Sequence, residues 1–528
     1  MKIRYILLLI ITVLGVSSCY DDKGNYSYDP KNDIKITFDA SYFEAILGEK
    51  IKLTPRLTFA IDSNDVDLSY KWTFLGKEIS DQRNLEWVVD TVTSNHNVYL
   101  NVTDNRTGVT FSGGISAMLS SAYAKEAWGV LAKQNGKSVL SYIRETQEDD
   151  GSEYGKFTYT DIPDIYQLVN GEELGTEPVR VLEHFAARGG IGHFWVLQNG
   201  GQGCVDLSGE DFTKDILLND IFLDGNLPVD FKPIDMIDMK WLTCVVNHDG
   251  KVYTRKKLTN QLYNSGYFID RPLEFENEEV DGSRMVLAPF SDLNYTVMYD
   301  KVHNRFLAIA DLKKETAGKV VKFTVDESGY APDFARLDNL GNMEVLHTGY
   351  YEVKEGESGD QGYYSILRDR TTGNYYTHDF RVNAMSESSN PSAFPVLQCQ
   401  IDLNQVINGT SKNVFNVLRS WVYGDDFGTP YVLISKDNEL WLYDRDAKMP
   451  VEKYYEFPQG QIITAIDSES VGSRRVAIGM QSGEFYVLDL TRKAVNGQKE
   501  KLIYASTHNF GEIVHIRYKV CSGNGWGY

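Results

Sequence analysis

The chain has 528 residues, 42% of them hydrophobic and 12% aromatic, and its 53 Lys and Arg against 74 Asp and Glu give a formal charge of −21. So acidic a balance opposes nucleic acid or anionic lipid as the main partner, because both repel a negative surface. The length is far above the ~150 residues of one ordinary domain, so either several domains or one large all-β unit is expected.

Taken in chain order, residues 1–18 read as an export signal. Lys2 and Arg4 precede the apolar run from Ile6 to Leu14, which closes on Val16-Ser17-Ser18-Cys19. A charged start, a short apolar run and small residues before a cleavage point mark a secretory signal, and the run is short of the ~20 residues a spanning helix needs. Cys19 is then the first mature residue and the expected lipidation site, where several acyl chains hold a membrane more firmly than one. Loss of Lys2 and Arg4 takes the charge from −21 to −23. Residues 19–33, with Asp29 to Asn32 following Gly, Asn and Ser, suit a polar tether.

Residues 34–121 show short alternating runs broken by polar turns, the rhythm of a β-sandwich. Leu68-Ser69-Tyr70-Lys71-Trp72-Thr73-Phe74 and Asn97-Val98-Tyr99-Leu100-Asn101-Val102-Thr103 place apolar residues at every second position. One buried face per sheet requires this period. Trp72 falls on the inward side and reads as a core residue.

Residues 122–528 repeat a different unit, an apolar strand, a turn and a second strand. The copies start at Trp128, Phe194, Leu242, Val297, Tyr364, Tyr431 and Val476. Turns such as Gln134-Asn135-Gly136 and His248-Asp249-Gly250 suit tight hairpins. About seven units fall within the range of β-propeller blades, and uneven spacing is accommodated by loops on one face. Gly511-Glu512-Ile513-Val514-His515-Ile516 is similar to Gly460-Gln461-Ile462-Ile463-Thr464-Ala465-Ile466, so the last strand is expected to complete the first blade. That closure removes exposed sheet edges.

No catalytic or metal-binding constellation stands out in the sequence. The nine histidines form no HxH or HExxH pattern, the nucleophile elbow GxSxG is missing, and no Gly-rich phosphate loop occurs. Neither cofactor nor metal is expected. Cys204, Cys244, Cys399 and Cys521 are scattered, with no CxxC pair, and read as free thiols. Aromatic content points toward binding. Tyr350, Tyr351, Trp421, Tyr423 and Trp526 lie in stretches that look too polar to be buried, and exposed aromatics stack on sugars or hold peptides at low entropic cost.

Tyr99-Leu100-Asn101-Val102-Thr103-Asp104, followed by Asn105-Arg106-Thr107-Gly108, resembles the closing strand and turn of a polycystic-kidney-disease-type, immunoglobulin-like domain. Asp21-Asp22 after Cys19 resembles the signal that sends Bacteroidetes lipoproteins to the outer face of the outer membrane. The layout as a whole resembles the PKD-like surface lipoproteins of that group. The resemblance implies a non-enzymatic accessory subunit, for ligand capture or as a scaffold, in an outer-membrane nutrient importer. Its implied partners are a SusC-like TonB-dependent transporter and a SusD-like lipoprotein, and its implied cargo is oligopeptide or oligosaccharide, with the layout favouring oligopeptide. The alternatives are an independent surface glycan-binding protein, or a propeller-type glycosidase, lyase or peptidase.

Overall fold

The computed structural model describes residues 32–520, apart from 63, 65, 125, 149–155, 185–191, 260–262, 287–293, 326–329, 354–360, 384–385, 387–388, 419–430, 447, 449 and 470–473. The signal segment, Cys19, most of the tether, Trp421, Tyr423, Cys521 and Trp526 lie outside the described residues. Two compact units divide the chain, Met1–Leu119 and Ser120–Tyr528.

Unit 1 is a sandwich. A five-stranded sheet runs in the order Tyr42–Ile46, Val109–Ser120, Thr93–Asp104, Leu68–Phe74, Lys77–Ser80, the last four antiparallel to one another in turn. Two short pairs complete the unit, Ile34–Thr37 with Arg56–Phe59 and Lys50–Leu53 with Leu85–Val88. Alternation along Leu68–Phe74 buries Trp72 and Phe74 and exposes Ser69 and Lys71, as one covered face demands. Trp72 sits opposite Leu100 in register, has no exposed surface, and donates its indole N–H to the Gln82 carbonyl at 2.9 Å. Its only polar atom is thereby satisfied within the core, as a buried indole requires.

Unit 2 is built differently, because its sheets are covered on both faces. Leu242–Asn247, Tyr295–Asp300, Arg305–Ala310 and Arg475–Met480 are buried at every position, so they read in sequence as unbroken apolar runs. Among the described residues, apart from the short pair Glu274–Phe275 with Glu278–Glu279, seven largely antiparallel sheets follow one another, the first two bridged into one. The first contains Glu512–Lys519, Ala127–Gln134, Lys137–Glu148 and Lys156–Ile162. A single bridge, Ser138 to Gly175, joins it to the second, Gly175–His184, His193–Gly201, Val205–Ser208 and Lys214–Leu217. The third has Pro233–Asp238, Leu242–Asn247 and Val252–Lys256, and the fourth Arg284–Val286, Tyr295–Asp300, Arg305–Ala310 and Val320–Val321. Met343–Glu352, Gln361–Asp369, Tyr375–Asn383 and Ser392–Ile401 form the fifth, with Thr324–Val325 added in parallel at its edge. The sixth comprises Phe415–Val417, Tyr431–Lys436, Glu439–Asp444 and Glu452–Glu456. The seventh comprises Ile463–Ser468, Arg475–Met480, Phe485–Asp489 and Leu502–Ala505. In the first hairpin Asn135 and Gly136 take φ of 53° and 82°, the left-handed pair that a two-residue turn between right-twisted strands demands.

Each sheet packs on the next through its own apolar core. Leu131 and Tyr142 meet Val181 and Phe194, Trp195 meets Met236 and Val245, and Cys244 and Val246 meet Met298 and Leu307. Tyr295 and Phe306 meet Tyr363 and Phe380, Ile366 meets Val432 and Ile434, and Leu433 meets Ile478 and Leu488. The circuit returns to its start where Ala477 and Phe485 of the seventh sheet meet Trp128 and Ile143 of the first. Close approach needs small residues. A Cβ on Gly129 would lie 2.4 Å from Cζ of Phe194, so glycine sets the spacing between first and second sheets.

Closure is also polar. Arg475 of the seventh sheet pairs with Glu145 of the first and, through Nε at 2.8 Å, with Glu469, while its guanidinium lies 3.6 Å from the Phe157 ring centre. Two buried carboxylates share one guanidinium, and burial pushes Glu145 up to about 7 against the opposing pull of Arg475. Tyr159 and Tyr504 stack at 4.7 Å, and Tyr504 donates to Asp161 at 2.8 Å.

Two predictions follow from this packing. Truncation before Glu512 removes the inner strand of the first sheet and exposes the Ala127–Gln134 edge. The product should be insoluble or molten by near-ultraviolet circular dichroism, and a soluble, cooperatively melting truncation would count against closure. The second concerns His378, which has no exposed surface, donates from Nε2 to the Ala335 carbonyl at 2.8 Å, and is lowered by burial to about 4. It stays neutral in the fold while the unfolded chain takes up a proton below its ordinary value of about 6.5, so its contribution is present above pH 6.5 and lost as pH falls toward 4. At pH 5 the loss is on the order of 1–2 kcal/mol. Chemical denaturation at pH 7 and pH 5 should show that decrement in the natural chain and a smaller one in His378→Gln.

Candidate functional site

The structure corrects the expected placement of the binding aromatics. Tyr350 and Tyr351 lie on strand Met343–Glu352, 7% and 6% exposed, not on a polar loop. Successive strand residues face opposite ways, so Tyr350 enters the core between fourth and fifth sheets and Tyr351 that between fifth and sixth. Tyr351 lies over Gly362, where a Cβ would come within 2.1 Å of its ring, with the Arg445 guanidinium 4.2 Å from its centroid and Asp379 accepting its hydroxyl at 2.7 Å. Cys204 and Cys244 are free and buried, and Cys399 is free and half-buried.

Another set of side chains is brought together where the second sheet meets the third. His184 and His193 are register partners at the ends of two adjacent strands. Trp195 pairs with Asp206 one strand further out, so His193, Trp195 and Asp206 share one face. Across the third sheet Asp238, Thr243 and Arg255 form one row, since Asp238 pairs with Thr243 and Thr243 with Arg255. Tyr263 and Asn264, beyond Val252–Lys256, join the two faces.

Tyr263 is the hub. Its hydroxyl accepts from Trp195 Nε1 at 2.8 Å and lies 2.6 Å from His184 Nδ1, while His184 Nε2 reaches the Met236 carbonyl at 3.3 Å. The carbonyl can only accept, so Nε2 of His184 carries the proton and Nδ1 accepts from the phenol. Burial lowers His184 to about 4 and raises the Tyr263 phenol, so both stay neutral. The His193 ring stacks on Tyr263 at 3.7 Å and 14°, which fixes its plane.

A continuous polar chain runs from this hub. Lys257 Nζ contacts Asp238 at 2.6 Å and the Met239 carbonyl at 2.8 Å, and Thr243 donates to the other Asp238 oxygen at 2.6 Å. Arg255 donates to the Thr243 hydroxyl at 3.0 Å and to the Asn264 side-chain oxygen Oδ1 at 2.9 Å. The Asn264 amide then donates to Asp206 at 2.8 Å and Asp215 at 2.7 Å, and His193 Nδ1 meets Asp206 at 2.8 Å. His193, Asp206 and Asp215 each offer a ligand atom within 4.8 Å of the others. Asp206 has no exposed surface, burial raises its carboxyl, and Asp215 is exposed. The set presents donors and acceptors to solvent through Asp215 and His193, and it can hold a cation or a polar ligand.

Sequence patterns missed this set because its members are 13 and 9 residues apart and lie on three successive strands. One signal was available: Val205-Asp206-Leu207 puts a carboxylate inside an apolar strand, where it needs a partner.

Residues 19–178 match the model of the PKD-like family. The matched stretch therefore takes in the residues that precede the sandwich, the sandwich and the start of unit 2. Among solved structures, a quinonprotein alcohol dehydrogenase-like protein from Bacteroides thetaiotaomicron VPI-5482 is 12% identical, with 92% of this chain and 99% of that one covered at a TM-score of 0.41. AztD of Citrobacter koseri is 12% identical over 79% and 94% at 0.34, and BamB from Moraxella catarrhalis 10% over 75% and 88% at 0.32. No curated protein matches the chain significantly.

The buried Lys257–Asp238 pair, each side chain 3% exposed, tests how the polar chain is held. Lys257→Met strands a buried carboxylate and should cost ~3–5 kcal/mol in denaturant unfolding. Adding Asp238→Asn should recover part of that loss, and equal stability of single and double variants would show that the pair is not coupled.

Proposed function

We propose that this chain is a lipid-anchored protein of the outer face of the outer membrane. In this reading unit 2 is a seven-bladed β-propeller, and the protein serves by binding, as a capture or scaffold subunit beside a SusC-like TonB-dependent transporter and a SusD-like lipoprotein, with oligopeptides as cargo. The observation that carries the reading is where the family match begins. It starts at Cys19, the residue on which the charged, apolar and small-residue segments of the leader converge. A mature protein that begins at that cysteine carries the thiol to be acylated at its first position, followed by a polar stretch long enough to hold the folded units off the membrane.

The succession of packed sheets, which returns from the seventh to the first, supports the propeller, and the pairing of Glu512–Lys519 with Ala127–Gln134 covers that edge of the first sheet. It also supports binding, because loops that join rigid strands are free to carry ligand contacts.

Anchoring is tested by fractionation. Cys19→Ala should move the protein from the membrane to the soluble fraction, and retention of the variant in outer membranes would overturn the lipoprotein reading. The partnership is tested by mild-detergent capture of the tagged full chain, with mass spectrometry of proteins and small molecules that accompany it. Recovery of a TonB-dependent barrel and a SusD-like protein with bound peptide is expected. Recovery with glycan and no transporter would replace the uptake reading by independent glycan capture.

A further inference from the structure

We propose that His193, Asp206 and Asp215 form a binding site for a divalent transition-metal ion of the zinc class, held between the third and fourth strands of the second sheet and the histidine of its second strand. The inference is independent of where the protein resides or what it carries.

A carboxylate removed from water needs a counter-charge or it is strongly destabilised. Several other buried carboxylates of unit 2 have one: Asp238 faces Lys257 at 2.6 Å, Asp300 faces Arg305 at 3.0 Å, and Asp489 faces Lys499 at 2.7 Å, while Asp311 instead accepts the Trp241 backbone N–H at 3.0 Å. Asp206, with no exposed surface, has no lysine or arginine in ion-pair range among the described residues. Its Oδ2 receives His193 Nδ1 and the Asn264 amide, and its Oδ1 is buried with no partner among the described residues. That orphaned oxygen belongs to the same carboxylate that bridges His193 and Asn264.

The donor chemistry fits a borderline cation. One imidazole and two carboxylates match zinc or manganese better than an all-oxygen calcium cage. Ligands on one zinc ion lie ~2.0–2.2 Å from it and so roughly 3–4 Å from each other. The three ligand atoms here are within 4.8 Å, a gap that small side-chain rotations close. The cation takes the place now held by the Nδ1 proton of His193, which is released, and by the Asn264 amide hydrogens that bridge both carboxylates. Access is open because Asp215 is exposed and His193 keeps 13% of its side chain in solvent. Stacking on Tyr263 holds the imidazole plane.

A second histidine in unit 2 lies between two carboxylates and makes a sharp control. His303 contacts Asp300 at 2.7 Å and Glu278 at 2.8 Å, so both ring nitrogens are engaged and Asp300 is already neutralised by Arg305. It should not take up metal.

The test uses the full mature chain without a histidine tag, stripped with chelator and titrated with ZnCl2 by calorimetry, with zinc content measured after gel filtration. One zinc per chain is expected. Asp215→Asn and His193→Gln should each weaken binding at least tenfold, while His303→Gln leaves it unchanged. Asp215 is exposed, so its variant should melt like the natural chain in chelator. That melt separates lost binding from lost folding. No uptake at millimolar zinc, or uptake of unchanged affinity in both site variants, would overturn the proposal, as would loss of binding in His303→Gln.

Discussion

The pairing of Glu512–Lys519 with Ala127–Gln134 is the interaction on which the larger unit depends. Among the described residues, the other sheets of unit 2 are built from strands neighbouring in sequence, whereas this pairing joins the first strand of the unit to its C-terminal one. Without it the first sheet lacks its inner strand and the seventh lacks the apolar surface of Ile513 and Ile516 that packs on Gly479. The sharing of Arg475 by Glu145 and Glu469 adds direction to that closure. A buried guanidinium between two carboxylates tolerates no sliding of one sheet past the other, whereas apolar contacts alone would.

The same logic explains where polar chemistry collects. Sheets covered on both faces have few solvent-facing positions, so charged side chains within them are drawn into networks at the junctions. The chain from Lys257 through Asp238, Thr243, Arg255 and Asn264 to Asp206 is one such network, with Tyr263 as its neutral centre. It is satisfied at the Lys257 end and short of positive charge at the Asp206 end. Polarity is thus graded along the junction from a closed pair to an open one, and the open end is the one that meets solvent.

Much of the fold was legible in the chain because its two periods differ. Alternation around Trp72 marks a sandwich strand, and unbroken runs such as Leu242–Val246 mark strands buried on both sides. The central hairpin of each sheet in unit 2 was visible for that reason, with turns such as Asn135-Gly136 as punctuation. The outer strands were not, since Lys214–Leu217 and Val320–Val321 are too short to show a period. Tyr350 and Tyr351 were misread because residues that feed two different cores look like a loop when Gly349 and Glu352 flank them. The cluster at His193 was illegible because register, not spacing, assembles it.

The closing strand also orders events in time. Lys519 reaches the carbonyl of Ala124 across 395 residues of sequence, so the circuit cannot form until nearly the whole chain has been made. The sandwich closes through neighbours, with Thr93–Asp104 returning directly on Val109–Ser120, and needs no such wait. Contacts of such long sequence separation form slowly, because the chain between them must be ordered first. Unit 1 can therefore close before the circuit of unit 2 does, since its strand pairings do not wait on the C-terminal strand.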